Sequence, residues 1–126
     1  MNAGAFVAVG AGATLGAWAR WGLSGWLNHL TPGLPLGTLV ANVVGGYAIG
    51  FAVAFFAANP SIAPEWRLAC ITGFLGALTT FSTFSAESLG LLEAGRWLDA
   101  GLHSSAHLFG ALAATWLGFL THRAIA

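Results

Sequence analysis

The sequence predicts an all-α membrane protein with four transmembrane helices, the third broken in mid-membrane, that forms an antiparallel, dual-topology homodimer. Hydrophobic residues make up 57% of its 126 residues and charged residues only 6%, with no formal net charge. Because a soluble domain carries about 25% charged residues, this composition indicates a surface that faces lipid. Residues 1–126 are too few for two domains, so we predict a single membrane domain.

Four apolar stretches reach the length of about 20 residues that a helix needs to cross a bilayer. The predicted spans are residues 3–27, 36–58, 67–92 and 99–122. The first stretch lacks a preceding basic region, so we expect a retained span rather than a cleaved signal. Most of the six tryptophans lie near predicted span ends, as in an aromatic belt.

The four arginines are divided evenly between the two sides of the membrane. Arg20 and Arg96 belong to one side, and Arg67 and Arg123 belong to the other. The positive-inside rule then has almost no bias to act on, so we expect both orientations to insert and to pair antiparallel. The alternatives are an orientation set by a partner and a fixed topology with a weak signal. A chain of this length is also too short to enclose a pore alone.

A glycine- and hydroxyl-rich run at 73–84 interrupts the third span. Its hydroxyl residues are Thr79, Thr80, Ser82 and Thr83. One or two hydroxyls would bond back to carbonyls one turn earlier, whereas four after two glycines favour a break. Irregular backbone at membrane depth survives only where protein or a water-filled path covers it. A broken helix presents carbonyls, which suit a cation, and amides, which suit an anion.

Two phenylalanines, Phe81 and Phe84, lie in the same run. Spacing alone favours a core or lipid-facing position for both. Aromatic ring edges are electropositive, however, and could assist a dehydrated anion.

The second span carries a stripe of Thr38, Asn42, Gly46 and Gly50 at four-residue spacing. The Asn42 amide supplies two N–H donors, which an anion losing its water would need. An amide that bonds across helices is the equally weighted alternative.

Histidines and one acid lie in the last two spans. His103 and His107 are one turn apart and could bind a metal, but no third ligand is evident, which favours a pore-lining or interface position. Glu87 is interpreted as an anchor at the span end or a partner of Arg20. His122, near a span end, is expected to be solvated.

Other features predict packing or exclude functions. Two GxxxG patterns, at 12–16 and 46–50, allow close helix contacts, and Cys70 is expected to be a buried, inert thiol. Four scattered arginines make no basic patch for nucleic acid. No catalytic constellation is recognisable, so an enzyme is not expected.

Three features together resemble the Fluc or CrcB fluoride channel family: Arg20 after a glycine-rich first span, residues 37–45 and residues 73–84. The resemblance covers nearly the whole chain. It implies an antiparallel homodimer in the bacterial inner membrane that conducts fluoride passively through two pores and lowers cytoplasmic fluoride. Fluoride, lipid and a second copy of the chain are the implied partners.

The resemblance also implies site residues. Asn42 would be the pore asparagine, Phe81 and Phe84 the aromatic box, and Thr38 a polar pore residue. Carbonyls of Gly76 and Thr79 from both subunits would hold a structural Na⁺ at the dimer centre. Arg20 would have a vestibule or structural role.

The fourth span departs from the family pattern. The family commonly has a tyrosine and then hydroxyl residues, where this chain has His103, His107 and Ala111. With Ser82 and Thr83, these histidines complete the predicted anion path.

Two other functions remain as alternatives. A small dual-topology, proton-coupled multidrug exporter would need a carboxylate in the first span, which has none. An accessory helical subunit would leave the polar break unexplained.

Overall fold

The computed structural model describes all 126 residues as helices joined by short turns, without strands. Three helices are continuous: α1 (Ala3–Leu27), α2 (Leu36–Ala58) and α6 (Trp97–Ile125). Between α2 and α6 the chain forms a segmented helix. Its parts are α3 (Pro64–Arg67), a π-helical segment (Leu68–Leu75), α4 (Gly76–Leu78) and α5 (Phe81–Glu93).

Three helical stretches are long and apolar enough to cross a membrane. They are Leu36–Ala58, Pro64–Glu93 and Trp97–Ile125. The all-helical membrane class is therefore confirmed. Helix α1 has 25 residues but is not one of these three stretches, so a fourth crossing stays a prediction.

The outside of the chain is apolar and part of its inside is polar. All six tryptophans are exposed, whereas Thr38, His103, His107 and His122 are buried. The predicted solvation of His122 is wrong, because this residue is buried and its ring lies nearly perpendicular to the rings of Phe51 and Phe55. The predicted burial of the Cys70 thiol is also wrong, because this residue is exposed.

Glycines allow two pairs of helices to pack backbone to backbone. On α1, a Cβ added to Gly12 would collide with the Ala69 carbonyl oxygen, and a Cβ added to Gly16 would collide with the Phe74 carbonyl oxygen. At the contact between α2 and α6, a Cβ on Gly50 would likewise collide with the Thr115 carbonyl. The close contacts that the two GxxxG patterns predict are therefore present.

The predicted break lies at Thr79 and Thr80, between α4 and α5. Thr79 has an extended backbone, with φ −84° and ψ 154°, and so has Thr80, with φ −154° and ψ 122°. The Thr80 side chain caps α5 by accepting a hydrogen bond from the Thr83 amide at 3.2 Å. The hydroxyl cluster of the third span thus starts a new helix rather than merely bending one.

Candidate functional site

The break is held by the side chain of Asn42 on α2. Its Oδ1 accepts a hydrogen bond from the Thr80 amide at 2.7 Å, and its Nδ2 donates to the Thr80 carbonyl at 2.9 Å. One side chain therefore satisfies both backbone polar groups of a residue that lies outside any helix. In hydrocarbon each such group would otherwise cost several kcal/mol.

Arg20 on α1 braces the same break from the other side. Its Nε donates to the Ala77 carbonyl at 2.9 Å, and its Nη1 donates to the Thr83 hydroxyl at 3.3 Å. The guanidinium thus joins the last turn before the break to the first turn after it. The alternative pairing of Arg20 with Glu87 does not occur.

The break diverts two amides from the carbonyls that a continuous helix would give them. The Thr80 amide, which would pair with the Gly76 carbonyl, donates to Asn42 instead. The Thr83 amide, which would pair with the Thr79 carbonyl, donates to the Thr80 hydroxyl instead. The Gly76 and Thr79 carbonyls therefore lose the N–H donors that a continuous helix would give them. Their oxygens are available to bind another group.

A cavity of about 300 Å³ lies beside the break. Its lining comes from α2, the break, α5 and α6: Asn42, Gly46, Thr79, Thr80, Phe81, Phe84, His107, Leu108, Ala111 and Leu112. Phe81 is 78% exposed on the single chain, and its ring meets Phe84 edge to face with centroids 5.2 Å apart. The predicted aromatic pair therefore forms one wall of a cavity that also contains Asn42.

The two histidines of α6 continue from this cavity into the protein. The His107 ring stacks on Phe84 with centroids 4.6 Å apart, and its Nδ1 lies 2.9 Å from Asn42 Nδ2. The His103 ring lies one turn away, with its centroid 4.5 Å from that of His107. Both histidines are buried inside the chain.

Glu87 closes this sequence of contacts at the far end. The Thr38 hydroxyl donates to Glu87 Oε1, and His103 Nε2 approaches Glu87 Oε2 to 3.3 Å without hydrogen-bond alignment. Glu87 is therefore not a partner of Arg20. It lies one turn beyond Phe84 on α5, and an acid inside a span is itself a signal of function.

Five side chains thus form a continuous polar row: Asn42, His107, His103, Glu87 and Thr38. Asn42 and His107 line the cavity at the break, while Glu87 lines a second cavity of about 350 Å³. That second cavity also borders Asn28 and Arg96, near the turn that precedes α2. The polar row therefore connects two cavities through the interior of an apolar molecule.

The remaining predicted site residues lie around the start of α5. The Ser82 hydroxyl is exposed and lies 3.4 Å from the Thr80 hydroxyl. The Thr83 hydroxyl accepts hydrogen bonds from Arg20 and from Thr80. Thr83 belongs to the bracing of the break, whereas Ser82 faces outward beside it.

Comparison with known proteins supplies the family. Residues 7–119 match the family described as CrcB-like protein, Camphor Resistance. The chain belongs to the CrcB-like family. The resemblance seen in the sequence is thereby confirmed.

Members of the CrcB-like family with high identity share nearly the full length of this chain. "Fluoride-specific ion channel FluC" of Thiobacillus denitrificans is 59% identical over 115 residues, which cover 91% of this chain and 93% of that protein. The protein of the same name from Cupriavidus pinatubonensis is 58% identical over 121 residues, 96% of both chains. That from Pseudomonas syringae pv. maculicola is 58% identical over 114 residues, 90% of both.

Proposed function

We propose that this CrcB-like protein is a fluoride-selective channel that lets fluoride leave the cytoplasm passively. It is a multi-pass bacterial membrane protein. The observation that carries the proposal is the polar row, which joins two cavities inside an apolar helical chain. The names of its relatives, which share more than half of its residues, support fluoride as the ion. The chemistry is conduction, not catalysis.

The anion path runs past the break. Phe81 and Phe84 line the first cavity, and the hydroxyl residues Ser82 and Thr83 lie between them at the start of α5. From there the path follows Asn42, His107 and His103 toward Thr38 and Glu87, in the order in which these residues contact one another.

Selectivity follows from what fluoride must lose on the way. Fluoride is small and holds water strongly, so a narrow path must replace its water with closely spaced donors. Imidazole N–H groups, hydroxyls and electropositive ring edges can replace the water around fluoride. Because these groups are neutral, they bind fluoride less tightly than a fixed positive charge would, so the ion is not trapped. A larger anion such as chloride fits a narrow path poorly and gains less from each donor.

The proposal includes a fourth crossing by α1 and an antiparallel homodimer. Helix α1 is 25 residues long and packs along the π-helical segment, so it has the length to cross beside the others. Phe81 is largely exposed on one chain although it borders the first cavity, and a second chain would cover it. The balanced arginines favour insertion in both orientations.

A central Na⁺ fits the break. Sodium prefers oxygen ligands, and the Gly76 and Thr79 carbonyls are those whose helical donors are diverted. In a two-fold dimer, both chains would contribute these carbonyls to one ion. The ion would supply a fixed positive charge that ties the two breaks together.

Fluoride release from proteoliposomes tests the function. Purified protein should release fluoride, measured with a fluoride electrode, and should release little chloride. Phe81→Ile should reduce fluoride release while the dimer persists on size-exclusion chromatography. Absence of fluoride release from the unaltered protein would refute the channel, and unchanged release by Phe81→Ile would remove Phe81 from the path.

Labelling tests the orientation separately. In a Cys70→Ala background, one cysteine in the 28–35 turn should react with an impermeant maleimide from both sides of the membrane in comparable amounts. Labelling from one side alone would refute dual topology and leave the channel proposal intact.

A further inference from the structure

The contacts of Asn42 specify the protonation of His107. This inference rests on the proposed function. We propose that Asn42 acts as a positioning residue that holds His107 in the Nε2–H tautomer, and that His107, rather than Asn42, donates to the passing anion. The site thereby takes a small anion that accepts hydrogen bonds.

The orientation of the Asn42 amide is determined by the backbone of Thr80. Oδ1 faces the Thr80 amide at 2.7 Å, and Nδ2 faces the Thr80 carbonyl at 2.9 Å. A reversed amide would place donor against donor and acceptor against acceptor. Only the observed orientation makes both hydrogen bonds.

The amide orientation then determines the histidine tautomer. Asn42 Nδ2 lies 2.9 Å from His107 Nδ1, and its second N–H points there because the first is bound to Thr80. His107 Nδ1 must accept this hydrogen bond, so the proton of the neutral ring resides on Nε2. Both Asn42 donors are used, which leaves none for fluoride.

The Nε2–H group of His107 is buried and has no hydrogen-bond partner within the protein. The whole residue is 3% exposed, and Phe84 stacks on its ring face. A buried donor without an acceptor is costly, commonly about 1–3 kcal/mol, so this group is suited to a mobile acceptor. Fluoride is a strong acceptor that is small enough for such a confined place.

A metal ion is the other ligand that these side chains suggest. Ligand atoms of Glu87, His103 and His107 lie within 4.8 Å of one another, and two histidines with a carboxylate suit zinc. A metal on His107 Nε2 would require the proton on Nδ1, where the Asn42 N–H already points. Metal-bound histidine instead donates its other ring N–H to an acceptor. The surroundings of His107 therefore favour an anion over a cation.

Nitrogen NMR of histidine-labelled protein in lipid bilayers tests the tautomer directly. The His107 signals, assigned by their loss in His107→Gln, should show a protonated Nε2 and an unprotonated Nδ1. In Asn42→Asp a carboxylate replaces the amide donor, so Nδ1 should gain a proton. An Nδ1–H tautomer in the unaltered protein would overturn the proposal, even if Asn42→Asp fails to fold.

Fluoride addition provides the second readout. Sodium fluoride should shift the His107 Nε2 signal of the unaltered protein, whereas sodium chloride should not. In proteoliposomes His107→Leu should lose fluoride release, and the control His29→Leu, in the turn after α1, should retain it. A His107 Nε2 signal indifferent to fluoride, or full release by His107→Leu, would overturn the donor role. Failure of the unaltered protein to release fluoride would instead refute the channel, while the tautomer would still be observable.

Discussion

The side-chain amide of Asn42 hydrogen-bonds both backbone polar groups of Thr80, 38 residues further along the chain. It replaces the helical partners that Thr80 lacks at the break between α4 and α5. The same amide contacts His107 on α6. Three transmembrane segments therefore meet at one asparagine, and the local geometry of the candidate ion path depends on it.

Asn42→Ala should destabilise the protein because the Thr80 amide and carbonyl would lose their partners. We expect a loss of about 1–3 kcal/mol for each group left unsatisfied. Thermal unfolding in one detergent would measure it. Asn59→Ala is the matched control, because the Asn59 amide makes one solvent-exposed hydrogen bond, to the Phe55 carbonyl within its own helical end. Equal stability of the two variants would show that Asn42 does not hold the break.

Arg20→Lys should also destabilise the protein, although it preserves the charge. A lysine ammonium lacks the planar fork that reaches the Ala77 carbonyl and the Thr83 hydroxyl together. A double-mutant cycle with Thr83→Val should give a coupling free energy of about 0.5–3 kcal/mol. Arg123→Lys is the control, because Arg123 lies over the Phe119 ring at the C-terminal end of α6. A coupling of zero would contradict the bracing role.

Gly16→Ala should force α1 away from the third helical stretch. The added methyl would collide with the Phe74 backbone carbonyl, which cannot rotate aside as a side chain can. Overpacking of this kind costs about 1–3 kcal/mol. Gly10→Ala is the control on the same helix, since its methyl would meet nothing within 4 Å and alanine favours a helix. Unfolding curves of the two variants should therefore separate in opposite directions from the unaltered protein.

Glu87→Leu should lower stability more than Glu87→Gln does. Leucine removes the acceptor of the buried Thr38 hydroxyl, at a cost of about 1–3 kcal/mol, whereas glutamine retains a carbonyl oxygen for it. Glu93→Leu, at the exposed C-terminal end of α5, controls for the loss of an acid. If Glu87→Leu were as stable as Glu93→Leu, the Thr38–Glu87 contact would contribute nothing to the fold.

Local composition was sufficient to predict the class and the position of the break. A chain with 57% hydrophobic residues must expose apolar surface, and clustered glycines and hydroxyls weaken a helix wherever they occur. The four-residue stripe on α2 likewise indicated which face of that helix is polar. These properties depend on residues close in sequence, so they can be interpreted without the fold.

The predictions that were wrong concern which helix face is covered and which side chains contact one another across helices. Cys70 was predicted buried and His122 solvated, because apolar neighbours and span ends do not reveal which face of a helix is covered. Glu87 was assigned to Arg20 as a possible partner, since opposite charges were the only criterion available. In the structure Glu87 meets Thr38 and His103, and Arg20 meets backbone and a hydroxyl.

The sequence by itself determined an apolar helical chain with a polar interruption and the residue types that surround it. The tertiary structure decided that Asn42 supports the interruption, that Arg20 braces it, and that Glu87 lies between His103 and Thr38. Helical periodicity specifies a face but not the helix packed against it. The contacts that create the polar row join residues 49 and 65 positions apart, and only the packing of the helices brings them together.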